Sequence, residues 1–67
     1  MRDRYTVWQQ GLDSLDFERV RRIPAGRSDQ ASFCAKMLSE LNPHRKVAIW
    51  SRNRGCFLKM FIKGERI

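Results

Sequence analysis

The stretch Lys46–Lys63, KVAIWSRNRGCFLKMFIK, decides how this chain is read. Two runs rich in strand formers, residues 46–52 and 56–63, flank Asn53-Arg54-Gly55. Gly55 can supply the positive φ that a short hairpin loop needs, so the stretch predicts a β-hairpin. Side chains alternate across a strand. Alternation puts Val47 and Ile49 on one face, with Cys56, Leu58, Met60 and Ile62 on one face of the partner strand, and these two sets are the expected core. The other face then collects Lys46, Ala48, Trp50 and Arg52 from the first strand, and Phe57, Lys59, Phe61 and Lys63 from the second.

Working upstream, residues 29–41 carry a helical pattern. Ala31, Cys34, Ala35, Leu38 and Leu41 recur at spacings of three and four and predict an apolar stripe, widened by Phe33 and Met37. Ser32, Lys36, Ser39 and Glu40 fall on the opposite side. Ser28 is expected to cap the helix with its hydroxyl, and Asp29 places a negative charge at the positive end of the helix dipole. Asn42-Pro43 ends it, because proline disfavours helical geometry in the residue before it.

The first 27 residues are less determined. Tyr5, Thr6, Val7 and Trp8 favour a pleated surface, so residues 4–10 read as a strand. Gly11-Leu12-Asp13-Ser14 carries turn residues. Residues 17–23 then form a second strand that closes an N-terminal hairpin. A helix over residues 14–23 capped by Asp13 is the competing reading. Pro24 and Gly26 end the segment either way. The expected architecture is an α+β fold in one small domain, residues 1–67: β-hairpin, helix, β-hairpin, with one helix packed on one face of a small antiparallel sheet. Such a sheet leaves its second face to solvent or to a partner.

Size and composition narrow the function classes. A chain of 67 residues buries a modest core, so self-association as a homodimer is one route to more stability. Two cysteines do not make a secreted disulfide framework; Cys34 and Cys56 are expected to be reduced and partly buried. The charged start, Met-Arg-Asp-Arg-Tyr, is not a secretory signal, and no run approaches a membrane span, so a cytoplasmic protein without membrane contact is expected.

Catalysis has little to work with. His44, the only histidine, stands beside Pro43 in a loop. Asp13 and Asp16 flank a turn. The glycines are scattered rather than gathered into a phosphate loop, and one His with two separated Cys lacks metal-finger spacing. No catalytic residue, no metal site and no cofactor is expected, and the chain reads as a binding protein rather than an enzyme.

Charge points to the kind of partner. Residues 45–67 hold Arg45, Lys46, Arg52, Arg54, Lys59, Lys63 and Arg66 against the single acid Glu65, so nearly all of the net +7 lies there. Crowded like charges favour an anionic partner. Base stacking needs exposed rings, and phosphates need basic side chains around them. Arg45, Lys46, Trp50, Arg52, Arg54, Phe57, Lys59, Phe61 and Lys63 are therefore the candidate nucleic-acid contacts, for RNA or DNA. The alternative is a protein-binding adaptor or inhibitor, such as a mobile-element or phage accessory protein, that sets the same basic face or a sheet edge against an acidic protein surface. A second basic run, Arg19, Arg21 and Arg22, is expected to split across both faces of its strand as a solvated edge.

Overall fold

The computed structural model describes residues 3–11 and 16–67. The elements run β1 (Tyr5–Gln10), β2 (Phe17–Ile23), α1 (Ser28–Leu41), β3 (Val47–Ser51), β4 (Cys56–Ile62) and β5 (Glu65–Arg66). This is the expected α+β arrangement of hairpin, helix and hairpin, with the strand reading upheld over residues 17–23. The expected turn lies, beyond Gly11, outside the described residues. All pairings are antiparallel, in the order β2-β1-β3-β4-β5. The two hairpins thus meet through β1 and β3, with Tyr5 opposite Ser51 and Gln9 opposite Val47.

The helix covers one face of this sheet. Val7, Ile23, Val47, Ile49 and Phe61 from the strands bury against Ala31 and Ala35, with Tyr5, Cys34 and Leu38 packed at the margin. The helical line facing the sheet is Ala31, Ala35 and Ser39, four residues apart. Small side chains there let the helix lie close to the strands. Ser39 was expected on the solvent side, and its burial has a physical reason. Its hydroxyl donates to the Lys36 carbonyl at 2.7 Å and accepts from the Gly64 amide at 2.9 Å, so the buried hydroxyl is satisfied. That contact docks the β4–β5 turn against the last turns of α1 and helps set the rotation of the helix. Phe33, Met37 and Leu41, expected to join or widen the buried stripe, therefore point away and are 67%, 41% and 72% exposed.

The helix ends differ in how they are satisfied. Arg27 is the N-cap and makes no side-chain capping bond, so the Ser28 cap does not form; Ser28 is the first helical residue, with Asp29 in the first turn. At the other end the Asn42 amide and its Nδ2 both donate to the Leu38 carbonyl, at 3.0 and 3.3 Å. The β4–β5 turn takes positive φ at both central residues, Lys63 (54°) and Gly64 (78°), the combination that tight hairpins use. A Cβ at position 64 would also fall 2.5 Å from Glu40 Cγ.

Two β-bulges correct the expected faces. In β3–β4, Ile49 pairs with Lys59 but Trp50 pairs with Phe57, so Leu58 is the extra residue. An extra residue shifts alternation by one and exchanges the faces beyond it. Phe61 and Lys59 consequently lie on the helix side. Phe61, opposite Val47, is a core residue, and Lys59 Nζ reaches Ser32 Oγ on α1 at 3.5 Å. Met60 pairs with Ala48 on the other face, and Cys56, expected in the core, is exposed. In β1–β2, Val7 pairs with Arg21 but Trp8 pairs with Arg19, which leaves Val20 as the extra residue.

Asp3 ties the hairpins together at one end of the sheet. Its carboxylate accepts from Ser51 Oγ at 2.6 Å and from the Asn53 amide at 3.2 Å, and its carbonyl accepts from the Gly26 amide at 2.9 Å. The Ser51 hydroxyl does most to hold the carboxyl below its ordinary range; desolvation, the next largest influence, opposes it, and the Asn53 and Arg4 amides and the positive charge of Arg54 add to the lowering. A carboxyl depressed in the folded state adds stability above its ordinary range, and that stability is lost as pH falls through the folded value. Melting temperature measured from about pH 6 to about pH 2 should therefore fall more steeply for the native chain than for Asp3→Asn. Parallel curves would remove Asp3 from the account.

Candidate functional site

The face of the sheet away from α1 is where exposed rings and basic groups meet. Thr6 and Trp8 of β1, Ala48 and Trp50 of β3, and Arg19 and Arg22 of β2 share it by register. Residues three apart in a regular strand fall on opposite faces. The bulge at Val20 is what returns Arg19 to the side of Arg22, and the bulge at Leu58 is what sets Phe57 beside Trp50. Bulged strands bend and twist more strongly. Phe17 of β2 and Phe57 of β4, with two strands between them in the sheet order, accordingly come within 5.7 Å between ring centroids. Trp50 meets Phe57 edge-on at 4.8 Å. β2 and β4 thus lean toward each other across β1 and β3 and make this face a trough.

Two clefts share its floor and wall. One, of about 270 Å3, is lined by Thr6, Trp8, Arg19, Arg22, Trp50 and Arg52. The other, of about 310 Å3, continues to the sheet end through Arg4, Tyr5, Ile23, Pro24 and Ala25, and uses Thr6, Arg22 and Arg52 again. Among the described residues no carboxylate lines either cleft. Arg4, Arg19, Arg22 and Arg52 are exposed, while Trp8 and Trp50 are half-buried. Trp8 Nε1 donates to Thr6 Oγ1 at 2.9 Å. That bond occupies the one polar atom of the Trp8 indole and holds its ring in place beside the Trp50 ring and the arginines.

The residues expected from sequence are dispersed. Trp50, Arg52 and Phe57 are in or beside the trough. Arg45 is tied down instead, its Nε donating to the Gln10 carbonyl at 2.6 Å. Lys46 lies just before β3, and its carbonyl accepts from the Gln10 amide. Arg54 is exposed in the β3–β4 loop, where its amide donates to Ser51 Oγ at 3.2 Å. Lys63 occupies the β4–β5 turn, Lys59 lies on the helix face, and Phe61 is in the core. The members that sequence reasoning missed are Arg4, Thr6, Trp8, Phe17, Arg19 and Arg22. Alternation along β1 would have joined Thr6 and Trp8, but nothing in the residues announces the bulge that adds Arg19.

Among the described residues there is no group of three His, Cys, Asp or Glu side chains able to hold a metal ion, and no helix long and apolar enough to cross a membrane. Cys34, half-buried, and Cys56, exposed, are free thiols. Comparison with protein-family models, curated proteins and solved structures finds no match.

Proposed function

We propose that this protein is a non-enzymatic nucleic-acid-binding module that takes a single-stranded segment of RNA or DNA into the trough on its open sheet face. The observation that carries this reading is the pair of adjoining clefts walled by four arginines and two tryptophans, with no carboxylate among the described residues that line them. Planar guanidinium forks suit phosphate oxygens, and ring faces accept any base by stacking. A curved trough suits a flexible strand whose bases can turn inward; in a duplex the bases are already stacked. Stacking tolerates any base and phosphate contacts carry no base code, so weak sequence preference follows.

Fluorescence anisotropy with a labelled mixed-sequence single strand tests this. With about four phosphates contacted, log affinity should fall against log salt with a slope of roughly −3. A duplex of the same length should bind less tightly at equal salt. No binding of either strand form at about 50 mM salt would end the nucleic-acid reading.

A further inference from the structure

The outer side of α1 raises a question that the trough does not answer. Phe33, Met37 and Leu41 follow one another every four residues along the side opposite the line packed on the sheet, and all three are exposed. A helix apolar on both sides is ordinarily covered on both. The nature of the cover is indicated by charge. The protein carries net +7, yet α1, with Asp29, Lys36 and Glu40, is the one element among the described residues whose charges sum below zero. The arginine-rich trough lies on the other face of the sheet. The helix is therefore where two copies of this cationic chain can approach with least repulsion.

The order of the charges also selects an orientation. Lys36 and Glu40 are four apart and stand on the same flank of the apolar line. A two-fold axis near Met37 runs the helices antiparallel and sets Phe33 against the partner's Leu41. It brings Lys36 toward Glu40 of the partner subunit, and the symmetry makes that pairing twice. A parallel two-fold would instead set this flank against the opposite, uncharged flank of the other helix and make no such pair. The charges of the helix argue against a membrane surface, because helices that lie on anionic lipid carry lysine and arginine beside the apolar stripe, and here two of the three charges, Asp29 and Glu40, are acidic.

We infer that the Phe33, Met37 and Leu41 side of α1 is a homodimer interface, with the two helices antiparallel and Lys36 of each chain paired to Glu40 of the other. The troughs then face outward on opposite sides of the dimer. The interface is independent of what the troughs bind.

Sedimentation velocity over a concentration series should show the mass rising from 8.0 kDa toward twice that value. Phe33→Ser with Leu41→Ser should hold the protein at the monomer mass throughout, with circular dichroism checking that the helix remains. Lys36→Glu alone and Glu40→Lys alone should each weaken association, by on the order of several-fold, and the double exchange should restore it. A native chain that stays at 8.0 kDa throughout would overturn the inference. So would a dimer that survives the two serines, charge reversals without effect, or recruitment of the native monomer to anionic vesicles through these three side chains.

Discussion

Replacing Phe61 by alanine is expected to cost roughly 3–5 kcal/mol, the range for emptying a packed aromatic site. Stability of about 0.05–0.15 kcal/mol per residue leaves a chain of this size little in reserve, so much of the variant should be unfolded at room temperature. Phe57→Ala, four residues earlier on the same strand, should cost about 1 kcal/mol or less, because that ring is 41% exposed and Phe61 only 7%. Urea denaturation of the two variants beside the native chain measures the difference. Simple alternation makes the two rings equivalent, and the bulge at Leu58 makes them different. Equal losses would mean that the register shift between Ile49 and Trp50 is wrong.

The largest expected effect on binding comes from Arg22→Ala combined with Arg52→Ala. Both guanidinium groups line both clefts, and one comes from each hairpin. Loss of two charge-assisted contacts should lower affinity for a single strand by on the order of a hundredfold or more. The salt slope should become shallower by about 1.4. Both residues are exposed, so the melting temperature should hold. Lys46→Ala with Arg54→Ala removes the same net charge outside the trough and serves as the comparison. If that pair weakens binding equally, total charge governs binding, and the trough has no special role.

Much of the secondary structure is legible in the residues. Asn53-Arg54-Gly55 marks the second hairpin, and Gly55 does take positive φ, 65°. Asn42-Pro43 marks the end of the helix, and the β-rich composition around Val7 marks the first strand. The second strand was one of two readings, because Phe17–Ile23 is exposed along most of its length and lacks the regular alternation of a half-buried strand. Three other features were hidden. The β5 strand is two residues long, too short for any pattern. The helix rotation depends on Ser39 Oγ finding Gly64, a contact between distant residues. The bulges depend on how a strand meets its neighbour, and Leu58 and Val20 look like ordinary strand residues.

The same distinction explains the site. Charge counting along the sequence favours the last third of the chain, where bases outnumber acids most. Spatial gathering favours Arg19 and Arg22, which come from a half that is nearly neutral because acids elsewhere in it offset them. Linear charge density located Arg52 and missed the partners that register brings beside it.

The meeting of the hairpins through β1 and β3 has a kinetic consequence. Each hairpin is local in sequence and can form on the microsecond scale, whereas joining Tyr5 to Ser51 closes most of the chain into a loop and is the slower event. Trp8, Arg19 and Arg22 stand on one side of that junction, and Trp50, Arg52 and Phe57 on the other. A chain with both hairpins formed but not yet joined has the strands of the native fold and only half of a trough in each piece. Ligand capture followed in real time during refolding would then report the joining step itself, separately from the appearance of strand signal, and a bound strand would act as a clamp that slows the parting of the halves.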